Sequence, residues 1–179
     1  MNGARLTLLV GALVFVAALS GCGGGSDATG AATGASSGGK ASEFAHGATG
    51  KKYANFGHEA GAKEREQASE TLEENLKARE VADWATQCET LSAKAQARLE
   101  GNGGLGASCE VNLKAMAEPV AQSAEVRQDP MSGPISALVV KGPEGYALFH
   151  GKKKHNYAML MEEDHGRWRV GELVTIQLS

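Results

Sequence analysis

The sequence predicts an α+β domain in which N-terminal helices pack on a curved antiparallel sheet of four or more strands. Two observations carry this. From Glu59 to about residue 120 the chain is rich in helix formers such as Ala, Glu and Lys, with apolar residues at helical spacing. After Pro134 the apolar period shortens to two, in runs separated by Gly, Pro and Asp. The breaks are short, so successive strands are joined as antiparallel hairpins.

Glu59 to Arg79 is rich in strong helix formers, and its apolar stripe runs Ala68, Leu72, Leu76. Val81, Trp84, Cys88 and Leu91 lie on a different phase, which predicts a second helix with Asp83 as its N-cap. Ser92 to Glu100 extends that helix or adds another turn. A glycine-rich loop, Gly101 to Gly106, follows. Ser108 then stands at an N-cap position, with Cys109, Leu113, Met116 and Val120 on one face and Pro119 as a stop. The strand candidates are Ile135–Lys141, Tyr146–His150, His155–Glu162 and Arg167–Leu178. In the last, Trp168, Val170, Val174, Ile176 and Leu178 share a face, and Glu172 beside Gly171 suits a bulge.

At the other end, Met1–Arg5 is a short positive segment and Leu6–Leu19 an apolar one. That run is shorter than the roughly 20 residues that cross a bilayer, so a permanent transmembrane helix is disfavoured. An ordinary secretory signal has no use for a cysteine in the next place. Leu19-Ser20-Gly21-Cys22 resembles the lipobox of bacterial lipoproteins. The resemblance implies cleavage before Cys22, a diacylglycerol thioether on its sulfur, and attachment to the outer face of a cell membrane. More than one acyl chain is needed, because a single chain binds only marginally. The organisation expected is a signal at 1–21, a lipidated Cys22 with a flexible Gly/Ser/Ala tether to residue 51, and a folded domain at 52–179. About 30 residues of such coil span roughly 30 Å.

Export permits disulfides, and the chain beyond Cys22 holds just Cys88 and Cys109. Pairing is expected, with two buried thiols as the alternative. Closing a loop of about 20 residues stabilises by roughly 3 kcal/mol in the chain-entropy picture. A net charge of −3 argues against nucleic-acid binding, and aromatics at 5 % promise a modest core.

The string Asp83-Trp84, Cys88, Leu91-Ser92, the second cysteine Cys109 and the closing Asp164-His165-Gly166-Arg167-Trp168-Arg169-Val170 hairpin together resemble the NTF2-like superfamily. More narrowly, over roughly residues 60–179, they resemble the small NTF2-like lipoproteins of actinobacteria. A cystatin-like or other helix-on-sheet domain is the structural alternative. The resemblance implies a cone with a pocket between sheet and helices, and in many members a homodimer through the sheet's other face. It implies no particular activity. Tyr146, His150, Tyr157 and Trp168 are the candidates for lining the pocket.

Other motifs are discounted on chemistry. Gly101-Asn102-Gly103-Gly104-Leu105-Gly106 spells a dinucleotide fingerprint, yet a helix precedes it where a strand is required. His58-Glu59 begins a zinc-protease motif, but Ala62 stands where the second ligand belongs. Gly50-Lys51-Lys52 lacks the rest of a phosphate loop. Among His46, His58, His150, His155 and His165, His150 alone shares a strand face with Tyr146 and Leu148. Glu162-Glu163-Asp164 reads as a solvated acidic tip, and Lys152-Lys153-Lys154-His155 as a basic one. No catalytic constellation, cofactor or metal site is expected. The leading expectation is a non-enzymatic interaction or accessory module for an unknown envelope protein. A binder of a small apolar ligand or lipid is the second reading, and an isomerase or hydrolase the third. Met159, Met161 and Trp168 filling the interior would favour the first.

Overall fold

The computed structural model describes residues 40–102, 108–121 and 131–178. A short 3-10 helix, η1 (Lys40–Phe44), leads into five α-helices: α1 (Gly47–Ala54), α2 (Ala62–Glu80), α3 (Trp84–Thr90), α4 (Ala93–Asn102) and α5 (Cys109–Ala121). The strands are β1 (His58–Glu59), β2 (Ala137–Lys141), β3 (Glu144–His150), β4 (Asn156–Asp164), β5 (Arg167–Val170) and β6 (Ile176–Gln177). They form one antiparallel open sheet in the order β1-β2-β3-β4-β5, with β6 also on β4. The α+β class and the antiparallel meander are therefore as expected.

Three helices begin at side-chain caps. The Glu64 carboxylate accepts the Gly61 N–H at the start of α2. Asp83 accepts from the Thr86 N–H and hydroxyl, which caps α3 and holds its carboxyl below the ordinary carboxylate value. Ser92 caps α4 by accepting the Ala95 N–H at 3.0 Å, so Ser92–Glu100 belongs to a separate helix. Pro119 does not stop α5, which runs on to Ala121. Cys88 of α3 and Cys109 of α5 form a disulfide.

The sheet is covered on both faces. On one side α2–α5 bury Leu138, Ala147, Phe149, Met159, Met161, Trp168 and Val170. On the other, η1 and α1 cover Ala137, Val139, Leu148, Ala158 and Leu178. This second layer corrects the tether boundary: residues 40–51 fold as part of the domain, and Phe44 is 1 % exposed. Their Gly, Ala and Ser content has a packing reason. A Cβ on Gly50 would lie 2.2 Å from the Phe44 carbonyl oxygen, so the small side chain lets α1 close onto η1. Residues 23–39 of the expected tether lie outside the described residues.

The last predicted strand is also corrected. It breaks after Val170, where a Cβ on Gly171 would meet Leu160 and Glu162 at 2.9 Å. The chain rejoins β4 only at Ile176. The interruption changes phase, so Trp168 and Val170 face α2–α5 while Ile176 and Leu178 face η1 and α1. Val174 is exposed.

Candidate functional site

The four residues expected to line one pocket divide between the two faces of the sheet. Tyr157 and Trp168 belong to the helix side, where Tyr157 stacks on Phe149 at 5.6 Å. Tyr146 and His150 belong to the other side. Tyr146 meets Tyr53 and Phe56 edge-on at 4.7 and 4.8 Å, and burial raises its phenol pKa. His150 stacks on Phe44 at 4.8 Å and shares a hydrogen bond with the side-chain amide oxygen of Asn156 through Nδ1. The alternation that placed Tyr146 and His150 together is real; a single cavity containing all four is not. The interior between sheet and helices is occupied by Met159 and Met161, both 0 % exposed, and by Trp168 at 3 %.

Among the described residues, depressions at the surface stand out instead. The first, of about 230 Å³, is lined by Ser92, Lys94, Pro143, Glu144, Glu162 and Asp164, among others. Here the start of α4 is clamped to the end of β4. Ser92 donates its hydroxyl to Glu162, and Asp164 accepts the Ala93 N–H at 3.0 Å. Lys94 Nζ lies 2.9 Å from Glu162 Oε1 in an ion pair. It also donates to Glu144 at 3.2 Å. The Glu162 and Glu144 carboxylates hold the Lys94 ammonium pKa above its ordinary value. Glu162 is 5 % exposed, so the expected solvated acidic tip is corrected for that residue.

Ser92 beside a carboxylate invites comparison with a nucleophile and its base. Its environment argues otherwise. The hydroxyl is buried, accepts a backbone N–H and donates to a carboxylate already paired with Lys94. Its single donor goes to Glu162 and its oxygen accepts the Ala95 N–H, so both contacts hold the start of α4. This clamp escaped sequence reasoning because its halves are 70 residues apart. The one local signal was a serine at the head of a helical run.

The second depression is a groove of about 620 Å³ between α4, α5 and the segment after β5. Ala95, Leu99, Met116, Leu173 and Val174 supply its apolar wall and Arg98 a cation. Arg98 donates to the Gly171 carbonyl oxygen, which ties the bulged segment to α4.

The remaining histidines are dispersed. His46 and His58 are exposed, and His155 and His165 sit at opposite hairpin turns. Among the described residues no group of three or more His, Cys, Asp or Glu side chains is arranged to hold a metal ion. Gly101 and Asn102 end α4, so the glycine string follows a helix, and residues 103–107 lie outside the described part. Cys22 also lies outside it. Among the described residues no helix is long and apolar enough to cross a membrane. No protein-family model matches the chain, and no curated protein or solved structure matches it.

Proposed function

We propose that this is a lipid-anchored, extracytoplasmic envelope protein whose α+β domain is a non-enzymatic interaction or accessory module of NTF2-like kind. The anchor rests on Leu19-Ser20-Gly21-Cys22 behind its short apolar run. The module reading is carried by one observation. The space between sheet and helices, where an NTF2-like enzyme or carrier would hold its ligand, is filled by Met159, Met161, Trp168 and Phe149. A filled interior leaves the outer surface for recognition. The sheet's other face, through which the resemblance implies dimers, has η1 and α1 across its apolar centre. A second copy would therefore meet helices there and not bare sheet.

The apolar groove beside Met116, Leu173 and Val174 favours a second reading, in which a small apolar ligand or lipid binds outside the interior. Native mass spectrometry of the protein exported and purified from its own source separates the two. The module reading predicts a bare polypeptide mass. An added mass of a few hundred daltons that leaves on denaturation would overturn it in favour of the ligand binder.

A further inference from the structure

The hairpin joining β3 to β4 carries Lys152-Lys153-Lys154-His155, the chain's one run of three consecutive cations. All four residues are exposed. The turn is closed at both ends of its backbone: Gly151 donates to the His155 carbonyl oxygen and Lys154 to that of Gly151, each at 2.9 Å. Lys154 is held there at φ 65°, in the left-handed region where Gly or Asn is the usual residue. A cation thus occupies a position whose backbone favours glycine, and the turn itself contains no carboxylate to pair with it.

In a meander, alternate turns lie at opposite ends of the sheet. The β3–β4 turn is therefore at the end away from Glu144, Glu163 and Asp164, which flank the β2–β3 and β4–β5 turns. The N-terminal layer has a direction too. Phe44 of η1 stacks on His150, the last residue of β3 before the basic turn. Tyr53 and Phe56 pack at Tyr146, toward the other end of that strand. The polypeptide coming from Cys22 thus reaches the described domain through η1, whose Phe44 packs beside the base of the lysine turn.

We infer that this end of the domain, formed by Lys152, Lys153 and Lys154, is a contact surface for anionic lipid that orients the domain on the membrane. The orienting role rests on the lipid-anchor reading; the affinity of the turn for lipid does not. Each lysine near an anionic surface contributes roughly fivefold to partitioning, so three contribute on the order of a hundredfold. The attraction is confined to within about a Debye length, which suits a turn delivered to the surface by its own anchor.

The test uses the chain from residue 22 onward with Cys22→Ser, which retains the whole compact unit from Ser36 to Ser179. Co-sedimentation is measured at low salt with vesicles of one-third phosphatidylglycerol and two-thirds phosphatidylcholine, and with phosphatidylcholine alone. Binding to the anionic vesicles alone is expected. Lys152→Gln, Lys153→Gln and Lys154→Gln together should weaken it on the order of a hundredfold. Lys51→Gln, Lys52→Gln and Lys141→Gln together remove the same charge away from the turn and should weaken it only a few-fold. Lys154→Gly relieves the backbone, so it should hold or raise the melting temperature while lowering binding about fivefold. Equal losses from the two triple variants, equal binding to both vesicle types, or binding to isolated wall polymer but not to vesicles would each overturn the inference. Failure of wild-type Cys22 to take up acyl chains would remove the anchor and leave these vesicle results as they stand.

Discussion

Single side chains decide where this chain turns from one element to the next. Asp83 is the clearest case, since its carboxylate satisfies two donors of Thr86 at the start of α3. Those hydrogen bonds lower its pKa in the folded state. A lowered carboxylate contributes stability above its unfolded value, and that contribution is lost as pH falls through the folded value. The melting temperature of Asp83→Asn should therefore change less than that of the wild type between neutral pH and the acid side of the carboxylate range. Equal acid sensitivity in the two proteins would show that the cap does not matter. Asp83 was legible in the sequence because a cap and its helix are neighbours. Glu162 was not, because nothing within β4 announces a partner at Ser92.

Elements were read well where their period was long and unbroken. The stripe Ala68, Leu72, Leu76 of α2 and the alternation of β3 and β4 both emerged from spacing, and burial follows them. Two elements depart from their sequence pattern for identifiable reasons. β5 and β6 have one apolar rhythm on paper, but the close approach of Gly171 to Leu160 interrupts the strand and reverses the face. The second is η1 with α1, whose composition matches that of a flexible linker. Phe44 anchors η1 on His150, Tyr53 anchors α1 on Tyr146, and Gly50 lets α1 close onto η1. Phe44→Ala should cost about 3–5 kcal/mol in urea unfolding, as for other fully buried phenylalanines. A loss below about 1 kcal/mol would mean that residues 40–54 rest on the sheet without stabilising it.

At the largest scale, the described residues form two layers around one sheet, with Met159, Met161 and Trp168 between sheet and helices and polar clusters at the two ends. One end carries the Ser92–Glu162–Lys94 clamp. The other carries the lysine turn beside the helix through which the chain enters. The single pocket expected from Tyr146, His150, Tyr157 and Trp168 failed for a reason of register. Residues of like strand position share a face, but which face is lined by a cavity depends on what packs there. The proposed localisation rests on the most local of the signals, a cysteine after a short apolar run, whose reading needs no fold. The decisive measurement is metabolic labelling of the cells with an alkyne-bearing palmitate, comparing wild type with Cys22→Ala. The wild type should be labelled and membrane-bound, and the variant should accumulate as an unlabelled, uncleaved precursor. Equal labelling of the two, or an unlabelled wild type, would contradict lipid anchoring at Cys22.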